Sequence, residues 1–450
     1  MTNPFILATP AEEKEMLAAC GAESIDQIFS DQIPAEYAWN KTFGLPPALS
    51  ELEIQRELGA LAATNRNSTD TVSFLGGGIY DHFCPAAVGA IANRSEFVTS
   101  YTPYQPEASQ GTLQAFFEFQ SLVTRLFATD VSNASLYDGA TALGESLFMA
   151  LGARPDRSTI LVSETVHPDS RALAATYLKH FDVKLVTVPQ SGGTTDLAQL
   201  KEAIGPDTAA VVLQHPNYFG CLEEAEEVAK LAHEAGALLI SICDPISLGL
   251  LAPPGEYDAD IAIAEGQCLG LREFGGGETL GLFTCKKEHV RRVPGRLVGI
   301  AKDKYDRQGF VLTLQTREQH IRRDKATSNI CTNHAHNALR ATIFLCLMGP
   351  QGMEHVARMS ARNTARLRDA IVSKAPKAIA FEAPCFKEFV VRTKLPAIEV
   401  CRRALEKNFF AGVPLGHLGP GFENHLLVCA TEKRTDAEID QFSEVLAPCL

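Results

Sequence analysis

Between residues 159 and 264 the chain repeats one pattern. Short apolar runs at 159–162, 184–188, 209–213, 238–242 and 261–264 alternate with stretches of helical spacing at 167–180, 197–204 and 223–235. Apolar runs this short and this continuous predict strands buried on both faces. Strands that alternate with helices predict crossover units and a mainly parallel sheet. Upstream, 111–129 reads as an amphipathic helix, with Leu113, Phe116, Phe117, Val123 and Phe127 on one side. A short strand at 134–137, a turn at Asp138-Gly139-Ala140-Thr141 and a helix to about 153 follow, and a further strand is expected at 279–285.

The flanks read differently. The first 95 residues are punctuated by Pro34, Pro46-Pro47, Asn65-Arg66-Asn67 and Gly76-Gly77-Gly78, which predicts an irregular arm around short helices, one of them at 48–63. Beyond residue 309 a polar run, 315–333, precedes helices at 335–348 and 352–373 and strands at 378–381, 388–391 and 425–429. The division expected is an arm at 1–95, a large α/β domain at 96–310 and a smaller α+β domain at 311–450.

Composition narrows the classes. Of 450 residues 46% are hydrophobic and 21% charged, a globular mix that excludes wholesale disorder. Lys and Arg number 41 against 54 Asp and Glu, so the formal charge of −13 disfavours nucleic acid as a partner. No uncharged apolar stretch reaches the ~18 residues needed to span a membrane, and the N-terminus does not read as a secretory signal. The 12 cysteines are scattered, without C-x-x-C spacing and without a His pair to complete a metal site. They are expected to be reduced thiols of a cytoplasmic protein, and no metal is expected.

Three features sit at predicted strand ends, where ligands bind in parallel sheets. The turn Asp138-Gly139-Ala140-Thr141 exposes backbone N–H groups at a helix start, a cradle for phosphate. Taken alone, the turn reads first as a plain helix cap. His167 follows the strand at 159–162 and could stack on a flat cofactor, or serve as a turn residue before Pro168. Asp244 follows the strand at 238–242 and could hold a pyridinium nitrogen protonated, or cap a turn. Together they lay out the cofactor site of a pyridoxal phosphate enzyme with the aspartate-aminotransferase-like fold (fold type I). Such an enzyme needs a lysine just after the next strand. There the chain reads Glu265-Gly266-Gln267-Cys268, and no lysine occurs between Lys230 and Lys286. Cys268 cannot form the covalent link. Lys286 and Lys287 follow one strand too late, but a displaced anchor there is the reading under which the chain would work alone.

Three longer stretches carry a family resemblance. Tyr101-Thr102-Pro103-Tyr104-Gln105-Pro106-Glu107-Ala108-Ser109-Gln110-Gly111 resembles a hallmark segment of the glycine decarboxylase P-protein. Asn133-Ala134-Ser135-Leu136-Tyr137-Asp138-Gly139-Ala140-Thr141-Ala142 is similar to the same family, as is the run 317–332, which begins Arg317-Glu318-Gln319-His320 and ends Asn329-Ile330-Cys331-Thr332. The likeness extends over nearly the whole chain, and the length matches the N-terminal half, subunit 1 of the two-subunit bacterial form.

The resemblance implies glycine decarboxylation within the glycine cleavage system, with the aminomethyl group passed to the lipoyl arm of H protein and carbon dioxide released. It places pyridoxal phosphate and its lysine in subunit 2, with the partner's His-Lys pair opposite Gln267 and Cys268. No cofactor is then attached covalently to this chain, and lipoamide on H protein is the co-substrate. Asp138, Gly139, Ala140, Thr141, His167 and Asp244 become a vestigial cradle. Tyr101, Tyr104, Gln105, Glu107 and Gln110, with Gly275, Gly276 and Gly277, become candidates to reach the partner's pocket. The basic residues Arg317, Arg322, Arg323 and Lys325 could meet an anionic partner or form a solvated face. The alternative is a structural or regulatory pseudoenzyme of the same fold.

Overall fold

The structure is a computed structural model that describes residues 5, 7–39, 41–273 and 278–450. By compactness the chain divides after Arg66, into 1–66 and 67–450. The first unit carries helices Pro10–Ala19, Ile25–Gln32 and Glu51–Ala62. Thr9 with Glu12 and Ser50 with Glu53 form capping boxes that satisfy the first free N–H groups of two of them. None of the three helices buries a residue.

The second unit is built on a seven-stranded sheet. Its order runs Val131–Ser132, Gly281–Cys285, Ile261–Glu265, Leu238–Cys243, Thr208–His215, Thr159–Ser163, Lys184–Val188. The last five of these are mutually parallel, and Gly281–Cys285 runs antiparallel to both of its neighbours. Strand side chains alternate between faces, and the alternation assigns the layers. Ile261 and Ile263 join the cluster that holds Leu143 and Leu147 of helix Gly139–Ala153. Ala262 and Ala264 face the other way, onto Phe119 and Val123 of helix Gln110–Phe127 and Phe344 of Ala335–Lys374. Both faces are covered, which is why the strands read as continuous apolar runs.

The C-terminal part has a three-stranded antiparallel sheet, ordered Glu388–Arg392, His425–Cys429, Val413–Pro414. Helices Ala397–Leu405 and Asp436–Leu446 and the end of Ala335–Lys374 pack on it. Val72–Ser73 pairs in parallel with Phe409–Phe410, so a segment near the start of this unit closes its C-terminal layer.

Several expectations need correction. The strand expected at 134–137 lies at Val131–Ser132, and Leu136 makes only a single bridge to Gly281. Residues 378–381 hold one bridge, Ile379 to Val391, rather than a strand. The helices expected at 335–348 and 352–373 meet end to end at Gly349, whose φ of 58° breaks the helix before Pro350. A hairpin, Leu297–Lys302 with Gln308–Thr313, was not expected. Its turn is set by Asp303, which accepts from the N–H groups of Tyr305 and Arg307.

Candidate active-site cleft

The parallel strands end side by side, and the Asp138–Thr141 turn, His167, Asp244 and Gln267 gather beyond those ends. Asp138 caps helix Gly139–Ala153: its Oδ1 accepts from the Thr141 N–H at 2.6 Å, and Thr141 Oγ1 accepts from the Asp138 N–H at 3.2 Å. Capping is therefore part of its role. Asp138→Ala is expected to cost about 1 kcal/mol in chemical denaturation, and Asp138→Asn much less.

The free N–H at that helix start is already matched. Glu265, the last residue of strand Ile261–Glu265, accepts from the Gly139 N–H at 2.9 Å through Oε2. Its Oε1 accepts from the N–H groups of Gln267 at 3.0 Å and Leu280 at 2.8 Å. Burial pushes its carboxyl up to about 7, against those backbone donors, which pull it down. The approach is close enough that a Cβ on Gly139 would stand 2.9 Å from the Glu265 nitrogen, so only glycine fits there.

Asp244 is also matched. Its Oδ1 accepts from the Ile246 N–H, and its Oδ2 lies 2.7 Å from Nζ of Lys387, a lysine only 2% exposed. Burial disfavours the ammonium, but the Asp244 charge outweighs it and raises the Lys387 pKa. The ammonium lies 3.3 Å from the centre of the Tyr80 ring and donates to His82 Nε2 at 3.0 Å. His82 Nδ1 faces Glu432 at 2.6 Å. Burial raises the Glu432 pKa, but the His82 contact outweighs it and leaves the carboxyl at about 2.

His167 does not present a free ring. Its Nε2 donates to the Gly77 carbonyl at 2.8 Å, and its Nδ1 accepts from the Asp169 N–H. Gln267 is spent on backbone groups of Tyr80 and Leu271. Cys268 is buried, and burial raises its thiol pKa. The cavity among Gly78, Tyr80, Asn217, Asp244, Glu265 and Lys387 measures about 60 Å³. That is room for about two waters. The residues present therefore do not fit pyridoxal phosphate: the anion position, the acidic partner of the ring and the space between are filled by side chains of this chain.

Lys286 is no substitute anchor. It pairs with Asp258 at 2.7 Å and Asp260 at 2.8 Å. Cys285 pairs across the sheet with Ile261, whereas Gly281 pairs with Glu265, so Lys286 and Lys287 sit at the opposite end of the strand from the cradle.

The 101–111 loop lies apart from this cleft. Tyr101 is 86% exposed, and Tyr104, Gln105 and Glu107 also face outward. Glu107 forms no hydrogen bond or ion pair among the described residues. Gln110 is engaged: it donates to the carbonyls of Pro106 and Phe310 and accepts from the Phe310 N–H at 2.8 Å, which ties the loop to the 308–313 strand. The buried Arg296 holds the other side. Its guanidinium contacts the Tyr104 ring and hydroxyl and bonds Cys331 and Asn333. A cavity of about 410 Å³ opens beside the loop, lined by Tyr101, Phe97, Phe116, Asn333 and His336.

Of the basic run, Arg317 is internal and donates to the carbonyls of Val293, Leu314 and Gly295. Arg322 and Lys325 line a second cavity of about 390 Å³ with Arg291 and Arg292. Gly275, Gly276 and Gly277 lie outside the described residues. No helix among the described residues is long and apolar enough to cross a membrane.

Sequence reasoning missed Tyr80, His82, Glu265, Lys387 and Glu388. A signal existed for some: Lys387 and Glu388 interrupt an apolar run from Phe386 to Val391, and Glu265 directly follows a buried strand.

Residues 3–446 match the family model for the glycine cleavage system P-protein. A probable glycine dehydrogenase (decarboxylating) subunit 1 from Chlorobium luteolum is 49% identical over 444 residues, covering 98% of this chain and 99% of that one. The protein of that description from Bacillus licheniformis is 45% identical over 449 residues, covering 100% of both. The crystal structure of glycine decarboxylase (P-protein) of the glycine cleavage system, in inhibitor-bound form, superposes with a TM-score of 0.91 at 41% identity over 100% of both chains. An alanine–glyoxylate aminotransferase from Nostoc sp. shares the fold alone, with a TM-score of 0.58 at 17% identity over 84% of this chain and 95% of that one. With its mainly parallel sheet of fold type I and a match along its whole length, the chain belongs to the glycine cleavage system P-protein family.

Proposed function

We propose that this chain is the lysine-free subunit of a two-subunit glycine decarboxylase, working in the cytoplasm, inactive alone and paired with a lysine-bearing P-protein subunit that holds pyridoxal phosphate. One observation carries the reading: no lysine is available at the cradle. Gln267 and Cys268 stand where the anchor belongs, and the lysine that does enter the cleft, Lys387, is ion-paired with Asp244. In the assembled enzyme glycine loses its carboxylate as carbon dioxide. Its aminomethyl group passes to the lipoyl disulfide of H protein, which is thereby reduced. The cofactor, in the partner, supplies the electron sink for decarboxylation. This chain supplies polar groups at the shared interface, with Tyr101, Tyr104, Gln105 and Glu107 directed outward and Gln110 and Arg296 holding the loop that bears them. An obligate pairing of this kind buries more than about 2,000 Å², and the pair is expected to double into an α₂β₂ tetramer.

The test is reconstitution. This chain, a lysine-bearing second P-protein chain from the same source, and their mixture are sized and assayed for glycine–bicarbonate exchange with lipoylated H protein. A complex that exchanges, where neither chain alone does, is expected. Full exchange by the second chain alone, with this chain eluting separately, would return the structural or regulatory pseudoenzyme reading.

A further inference from the structure

We infer that the cofactor cleft of this chain has been converted into an internal lock, in which its own side chains take the places of a cofactor's charges and pin the C-terminal lobe to the central sheet. The lock has three parts. The carboxyl group of Glu265 accepts from the N–H of Gly139 at the helix start, the position suited to an anion. The ammonium of Lys387, carried by the C-terminal lobe just before strand Glu388–Arg392, meets Asp244 at the end of central strand Leu238–Cys243. Residues 77–83 form a strap that runs between the two.

The strap is stitched to both sides. On the sheet side, the Tyr80 N–H and carbonyl bond the Gln267 side chain. On the lobe side, the Gly77 N–H and the Tyr80 hydroxyl donate to Glu388 at 2.6 and 2.8 Å. Asp81 pairs with Lys433 and Arg434, the Asp81 carbonyl accepts from Thr431, and the Phe83 N–H donates to Glu432. Gly77 and Gly78, at φ of 76° and 116°, let the backbone turn into the cleft. The charges facing the ammonium are Asp244 directly and Glu432 through His82, while the Tyr80 ring covers it. A buried ion pair with these further contacts is costly to break from one side.

The arrangement accounts for more than a lost activity. A site that had merely lost its lysine would keep the space for a ring and a phosphate, whereas this one holds about 60 Å³. The inference stands on the residues of this chain, so its failure would leave the heteromer reading intact.

The test uses the full chain in two measurements. The first is equilibrium dialysis of the wild type against pyridoxamine 5′-phosphate, which cannot attach to surface lysines. No saturable binding is expected up to about 1 mM. Saturable one-to-one binding that Asp244→Asn abolishes would overturn the lock, whatever the variants do. The second is a thermal double-mutant cycle. Asp244→Asn and Lys387→Met should each lower Tm by roughly 5 °C, and the double variant should lose clearly less than the sum. Single variants with unchanged Tm, or strictly additive losses, would also overturn it.

Discussion

Glu107→Gln in the assembled heteromer is expected to lower glycine–bicarbonate exchange about 10²-fold, equivalent to ~2.7 kcal/mol of barrier, while leaving the amount of heteromer unchanged. The carboxylate stands on an outward-facing loop and has no hydrogen-bond or ion-pair partner among the described residues, so the folded subunit loses no such contact when its charge is removed. Gln110→Ala should behave differently. Its amide holds both backbone groups of Phe310 and therefore positions the loop. Loss of that clamp should reduce exchange and also weaken assembly, because a loosened loop costs order at the interface. Arg296, which clasps Tyr104 on one side and Cys331 and Asn333 on the other, belongs with Gln110. Exchange is normalised to heteromer measured by sizing. Normal turnover per heteromer for Glu107→Gln, Gln105→Ala and Tyr104→Phe would remove the direct role and leave the loop as interface.

The second large effect is on stability and depends on pH. Glu145 lies inside helix Gly139–Ala153, only 5% exposed, and its Oε2 has no hydrogen-bond partner among the described residues. Burial pushes its pKa from 4.5 up to about 7, with Ser328 pulling weakly the other way. The unfolded chain therefore releases this proton near 4.5, whereas the folded chain keeps it until about 7. Between those values the unfolded state binds fewer protons, so this group's contribution falls as pH rises and is fully lost above the folded value. Glutamine imitates the protonated carboxyl at every pH. Glu145→Gln should match the wild type in denaturant titrations near pH 4.5 and exceed it at pH 8, by at most about 3 kcal/mol. A difference between the two proteins that stays constant across that range would show that Glu145 is not the titrating group.

Local pattern determined a large part of this protein. Continuous apolar runs announced the strands from Thr159–Ser163 to Ile261–Glu265, because burial on both faces leaves no polar alternation. The Asp138-Gly139-Ala140-Thr141 turn marked the start of helix Gly139–Ala153, because a cap acts within four residues of its own position. The absence of a lysine after Ile261–Glu265, and the family likeness of 101–111 and 317–332, were also open to reading, since both concern residue identity alone. What occupies the cleft was not. Tyr80, Asp244, Glu265 and Lys387 are spread over more than three hundred positions, and nothing in their spacing states that they meet. In the sequence Lys387 is a charge just before an apolar strand, and only the fold lays it against Asp244. His167 and Gln110 changed meaning for the same reason: the carbonyl of Gly77 and the backbone of Phe310 come from distant parts of the chain. Hydrophobic periodicity is a local property and survives in the sequence, whereas the pairing of buried charges depends on which strand ends the tertiary structure brings within hydrogen-bonding distance.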